Sequence, residues 1–333
     1  MPINKKVAIS AVAVVVVALV FATLYANNRP SSENNELIHD HKWGIYVLDL
    51  QTQKTELVYS SQNKMSRIRL DNTGTRLVFS QEIRTEHIDE SSPVNLGEEI
   101  CSINVDGTNY KQITDNHVWE LIPCWSEDGS EIFYLAFNQT LDIFKMNSDG
   151  SNVSLVYDSG VHDSDMSCAD GKVAFTRDSQ IWVINTDGTA PVQVTDPPRA
   201  AEWGQAVLPF GDYDPNLSPD GSKIVFERMV DDKTTHGNYD IYVIKTDGTQ
   251  ETAITDSGYT QGIASWSHSG TRIVYMVSAM GNEAKYDIYT MNSDGTNNQN
   301  VTPNNFPADF LCHDPVFSED DTQVYFIGEW YND

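Results

Sequence analysis

The chain has 333 residues, with 21 Lys and Arg against 48 Asp and Glu, and a formal net charge of −27. Such a surface repels phosphate backbones, so binding nucleic acid would need a basic groove that the sequence does not supply, and it disfavours lying flat on anionic lipid. Lys5 and Lys6 precede Val7–Ala26, twenty uncharged and mostly apolar residues, and no Asp or Glu occurs before Glu33. As a helix that stretch spans about 30 Å, the thickness of a bilayer core. It reads as an uncleaved signal anchor over 7–26, with residues 1–6 inside and the rest exported. A cleaved signal peptide ending near Val20-Phe21-Ala22 is the alternative, and it would leave the remainder secreted or periplasmic. Asn27–Glu36, rich in Asn, Ser and Glu, begins a solvated tether over 27–42.

From residue 43 to 333 the chain repeats. Short apolar runs, Ile45-Tyr46-Val47-Leu48, Ile100-Cys101-Ser102-Ile103, Ile143-Phe144-Lys145-Met146, Ile181-Trp182-Val183-Ile184, Ile241-Tyr242-Val243-Ile244 and Ile288-Tyr289-Thr290-Met291, predict strands. All but the first run into Asp-Gly-Ser/Thr, at Asp106, Asp149, Asp187, Asp247 and Asp294. Gly supplies the positive φ of a hairpin turn and Asp hydrogen-bonds its own backbone. A second set of turns, at Gly74, Gly129, Gly171, Gly221, Gly270 and Asp321, recurs every 42 to 55 residues and alternates with the first. One repeat is therefore four strands, the size of a propeller blade. The chain starts with half a blade, about Gly44 to Tyr59, and ends with the complementary half, about Asp314 to Trp330. Pairing those halves predicts an all-β, six-bladed propeller closed by its own terminal strands, preceded by one hydrophobic helix.

Leu217-Ser218-Pro219-Asp220-Gly221-Ser222-Lys223-Ile224-Val225-Phe226 resembles the WD40-like repeat of TolB-type β-propellers, with variants at Trp125-Ser126-Glu127-Asp128-Gly129 and Trp266-Ser267-His268-Ser269-Gly270. Asp-Ile-Tyr-x-x-x-x-Asp-Gly-Thr, beginning at Asp240 and Asp287, is similar to the same family. The resemblance covers roughly residues 43 to 331 and implies the fold. Its functions are diverse: periplasmic scaffolds, envelope proteins and the propeller halves of some peptidases.

Four cysteines, Cys101, Cys124, Cys168 and Cys312, allow three pairings, and their placement in strand positions favours buried thiols over disulfides. The blade-to-blade connections and the loops joining second to third strands share one face, the default place for a site. There, Asp196–Tyr213 carries Trp203, Phe210 and Tyr213, and Asn304–His313 carries Phe306 and Phe310. These aromatics fit contact with an envelope protein or a glycan, or else fold back onto the channel mouth. The charged Arg84–Gly97 loop lies on the same face. Glu120, His162, Asp163, Asp165, Asp212, Asp214, His313 and Asp314 precede or begin predicted inner strands, where they would converge at the channel. His with carboxylates suits a divalent cation, and some polysaccharide lyases on propellers use such a cluster. No Gly-x-Ser-x-Gly elbow, P-loop or dinucleotide fingerprint is present. The expected function is a non-catalytic interaction module at the cell envelope, anchored by its N-terminal helix and needing no cofactor. The alternative is a metal-dependent lyase or hydrolase on a carbohydrate or anionic polymer.

Overall fold

The computed structural model describes residues 40–332 apart from 84–96, 117, 234–235, 280–285, 305 and 307–309. The expected helix over 7–26, most of the tether and nearly all of the Arg84–Gly97 loop lie outside the described residues. Among the described residues no helix is long and apolar enough to cross a membrane.

The chain opens with β1 (Asp40–Asp49) and β2 (Thr55–Ser61), so the first strand begins inside the expected tether. Blade 1 is β3 (Met65–Leu70), β4 (Arg76–Glu82), β5 (Glu98–Asn104) and β6 (Lys111–Gln112). Blade 2 is β7 (Glu120–Trp125), β8 (Glu131–Asn138), β9 (Thr140–Asn147) and β10 (Ser154–Tyr157). Blade 3 is β11 (Asp163–Ala169), β12 (Lys172–Arg177), β13 (Gln180–Asn185) and β14 (Val192–Gln193). Blade 4 is β15 (Asp212–Leu217), β16 (Lys223–Asp231), β17 (Asn238–Lys245) and β18 (Thr252–Ala253). Blade 5 is β19 (Tyr259–Trp266), β20 (Arg272–Ala279), β21 (Tyr286–Asn292) and β22 (Gln299–Asn300). β23 (Leu311–Phe317) and β24 (Gln323–Asn332) then join β1 and β2 in the order β2-β1-β24-β23. The closing register runs from Asp40 opposite Asn332 to Asp49 opposite Gln323. The expected six blades and terminal closure are both present.

The turns explain why the repeats fold locally. In blade 4, Asp247 Oδ1 accepts hydrogen bonds from the N–H of Thr249 at 2.9 Å and from its hydroxyl at 2.6 Å. Gly248 between them has φ 80°, open to glycine and costly for other residues. A second device ties each short outer strand to its neighbour. The hydroxyls of Thr114, Thr195, Thr255 and Thr302 accept the N–H groups of Ile100, Ile181, Ile241 and Ile288 at 2.8–2.9 Å. Two-residue outer strands leave little edge for another chain to pair with.

The core lies between blades, in six apolar clusters, one for each blade-to-blade junction. Phe133 and Leu135 of blade 2 meet Met166 and Phe175 of blade 3, for example, all fully or nearly buried. Each such side chain contributes about 1.5–3 kcal/mol relative to exposure. The same junction corrects the cysteine expectation. Cys124 of β7 and Cys168 of β11 form a disulfide, with Cα atoms 5.9 Å apart, joining two inner strands of adjacent blades. Cys101 and Cys312 are buried thiols, as expected. The pairing was hidden because the two strands are neighbours only once the ring is formed.

Candidate functional site

All six inner strands carry a β-bulge at the same place, centred on Arg67, Ile122, Asp165, Asp214, Ile263 and Asp314. Each of these residues has a φ between 48° and 60°, a left-handed conformation that is an outlier for Ile above all. The strain is offset by hydrogen bonds from one blade to the next. The N–H of Ile122 donates to Ser80 Oγ, that of Ile263 to Glu227 Oε2 and that of Arg67 to Asp314 Oδ2, each at 3.0 Å. The N–H of Asp314 donates to Met276 Sδ at 3.4 Å. In each case the acceptor belongs to the preceding blade, so the bulge locks the inner ring together.

The bulge ring brings Asp165, Asp214 and Asp314 together, as the sequence implied, but around Arg67. The Arg67 guanidinium reaches across to blade 4 and bonds Asp214 through Nη1. Its Nη2 lies 3.3 Å from Asp165 Oδ1, and its Nε lies 4.0 Å from Asp314 Oδ1. All four side chains are less than one-fifth exposed. Burial opposes the charge on Arg67, but Asp214, Asp314 and Asp165 more than offset it and hold the guanidinium firmly protonated. Burial, and then repulsion from Asp214, pushes Asp165 up to about 7 against the pull of Arg67. The same two causes raise Glu227 well above the carboxylate range. Among the described residues no group of three or more His, Cys, Asp or Glu is placed to hold a metal ion.

The other expected members of a cation cluster are engaged elsewhere. His162 Nδ1 accepts the N–H of Leu141 at 3.0 Å, and burial lowers its pKa, which disfavours the charged ring. Asp163 pairs with Arg177 at 2.8 Å, and burial raises it to about 6. Asp212 is held by Arg228 Nε at 2.6 Å and Nη2 at 2.8 Å. Glu120 is buried and accepts from Asn116 Nδ2 at 3.1 Å. His313 Nε2 lies 3.0 Å from Glu329, with the imidazole near the rings of Trp43 and Tyr286. The expected convergence of histidines with carboxylates is therefore not formed.

Most of the loop aromatics also turn inward. Phe210 and Tyr213 are buried with Ala206, Met229 and Tyr239, and the Tyr213 hydroxyl donates to the Pro209 carbonyl at 2.6 Å. Phe310 is buried and stacks on half-buried Phe306 with centroids 3.9 Å apart. Trp203 is 51% exposed. Its loop is braced by Arg199, which bonds Glu202 twice at 2.7 and 2.9 Å and lies 3.4 Å above the Phe210 ring. Gln205 N–H donates to Asp232 at 2.8 Å. A Cβ on Gly204 would fall 2.0 Å from that carboxylate, so a larger residue there would displace Asp232.

Arg67 and Glu227 were missed in the sequence. Aligning the repeats backward from the second turns would have found Arg67, which occupies the place of Asp214 and Asp314. Glu227 carries no such signal, because its role depends on the bulge at Ile263 in the next blade.

No protein-family profile matches the chain. An uncharacterized protein of Agrobacterium fabrum is 30% identical over 109 residues, 31% of this chain and 33% of that protein. A TolB homolog of Chlorobium luteolum is 29% identical over 133 residues, 38% of this chain and 28% of the homolog. The matches thus span about a third of these curated relatives. Among solved structures, one described as TolB from Agrobacterium tumefaciens is similar with a TM-score of 0.66 at 16% identity, over 87% of this chain and 99% of that one. TolB from Acinetobacter baumannii gives 0.58 at 15%, over 86% and 68%. An oligogalacturonate lyase in complex with manganese gives 0.53 at 13%, over 87% and 83%. At these identities the likeness is one of architecture: the chain has the six-bladed β-propeller fold that the TolB structures share.

Proposed function

We propose that this chain is an exported, non-catalytic interaction module of the cell envelope, binding a partner protein through the rim of its channel on the long-loop face. One observation carries the reading. Between four successive pairs of blades the connection, or the first residue of the strand that follows it, presents an exposed apolar side chain: Val118 (39% exposed), Val161 (40%), Trp203 (51%) and Tyr259 (51%), the last of these opening β19. Polar groups of the same region already have partners within the blades: His162 accepts the Leu141 N–H, Asp163 pairs with Arg177 and Asp212 with Arg228. Single exposed apolar residues are ordinary, but their recurrence from blade to blade around one mouth makes a contact arc. Exposed Asp115, Asp158, Asp196 and Asp256 begin the same connections, which suits a partner with basic residues.

The hydrophobic run at 7–26 and the Cys124–Cys168 disulfide support export, since disulfides persist in oxidising compartments. Membrane anchoring through residues 7–26 is part of this proposal. The likeness to TolB proteins supports an envelope setting. Affinity copurification from envelope extracts with wild-type, Trp203→Ala and Tyr259→Ala chains tests the surface. Loss of a common partner in both variants is the expected result. A partner set unchanged in the double variant would remove the rim from the proposal.

A further inference from the structure

The channel centre contains more carboxyl groups than cations to balance them. Asp165 of β11, Asp214 of β15, Glu227 of β16 and Asp314 of β23 face the guanidinium of Arg67 on β3. Arg69, also on β3, is the second cation nearby, and its Nη1 donates to the Ile68 carbonyl at 2.9 Å. Tyr213 of β15 and Tyr239 of β17 are the remaining titratable groups around Glu227, both phenols buried. Glu227 Oε2 is held by the N–H of Ile263, and a Cβ on Gly262 would come within 1.9 Å of that oxygen. The carboxyl therefore lies directly against the backbone of the next blade's bulge. Asp314 Oδ1 is buried without a hydrogen-bond partner. Burial within the ring, and then repulsion from Asp214, favours the protonated forms of Asp165 and Glu227 beyond what the Arg67 guanidinium offsets.

We infer that the channel centre is a proton-linked plug. Arg67 closes the channel from blade to blade, and the surplus carboxyls take up protons as pH falls, tightening the ring, and release them as pH rises, loosening it. Asp165, pushed up to about 7, and Glu227 are the groups that hold the protons. The direction follows from linkage. Between the ordinary carboxylate range and neutrality the native chain keeps protons that the unfolded chain has lost, so stability falls as pH rises across that window and then levels off.

The test is thermal melting of the full chain from pH 5 to pH 8, with Glu227→Gln, Arg67→Met and Glu99→Gln variants. Wild type is expected to lose several degrees over this range. E227Q, which keeps an oxygen for the Ile263 N–H, should lose less and melt above wild type at pH 8. R67M should steepen the fall, because the carboxyls lose their counter-cation. Glu99, raised to about 7 beside Thr114, titrates in the same window at another junction. E99Q should therefore remove only its own share, additively with R67M, whereas E227Q and R67M should not be additive. Infrared spectra provide a readout that needs no R67M protein: a protonated-carboxyl band at neutral pH, diminished in E227Q. Equal slopes in wild type, E227Q and R67M, or no such band, would overturn the inference.

Discussion

Arg67 on the inner strand of blade 1 is bonded to Asp214 on the inner strand of blade 4, the blade directly opposite, so one side chain ties the ring across its diameter. Removing it leaves buried carboxylates without their counter-charge. Breaking one partner of a largely buried pair costs about 3–5 kcal/mol. Arg67→Ala is expected near the lower end, since the Arg67 and Asp214 side chains are not wholly buried. Denaturant unfolding at pH 8 checks this, with Asp214→Asn expected to cost less because Asp165 and Asp314 still hold the guanidinium.

The Cys124–Cys168 bond staples blades 2 and 3 at a sequence separation of 44 residues. Reduction, or Cys124→Ser with Cys168→Ser, should lower stability by about 2–4 kcal/mol. Alkylation in denaturant without reductant should label two thiols, at Cys101 and Cys312, and peptide mapping should recover residues 124 and 168 linked.

Phe310 covers Gly328 on the closing blade. A Cβ on Gly328 would lie 2.3 Å from the Phe310 ring, and Tyr46 and Trp330 pack against the same aromatic. Truncating Phe310 opens a cavity where the two ends of the chain meet. Phe310→Ala is expected to destabilise by about 3–5 kcal/mol. Hydrogen exchange should quicken first in the amides that pair β1 with β24.

The acid limb of the stability curve should have the opposite sign to the neutral limb. Asp128 and Asp220 are pulled down to about 2 by hydrogen bonds, first from the serine hydroxyls of their turns. Asp187, Asp247 and Asp294 are lowered by the threonine hydroxyl and N–H of theirs. Depressed carboxyls stabilise above their unfolded value and lose that contribution as pH falls through the folded one. Raised groups such as Asp163, at about 6, lose theirs as pH rises. A melting-temperature profile should therefore peak between roughly pH 4 and 6. A maximum above pH 7 would contradict these assignments.

What was legible in the sequence was local. Asp247-Gly248-Thr249 makes its turn with its own atoms, and Ile241 and Thr255 find each other within one blade, so pattern and spacing predict them. Strand closure followed from counting half-blades. Partners set by the ring were not legible. Arg67 meets Asp214 across 147 positions of sequence, and Cys124 meets Cys168 only because two inner strands become neighbours. The loop aromatics divided for a similar reason. Phe310 found the space above Gly328, and Phe210 found the underside of Arg199, while Trp203 found no cover.

The most direct measurement of the central claim is photocrosslinking in intact cells, with a photoreactive residue placed singly at Trp203, Tyr259 or Val161 on the rim, and at Thr249 or Thr296 on the turns of the opposite face. One discrete crosslinked protein is expected from all three rim positions and none from the turns. Crosslinks from the turn face alone, or from neither face, would contradict that claim.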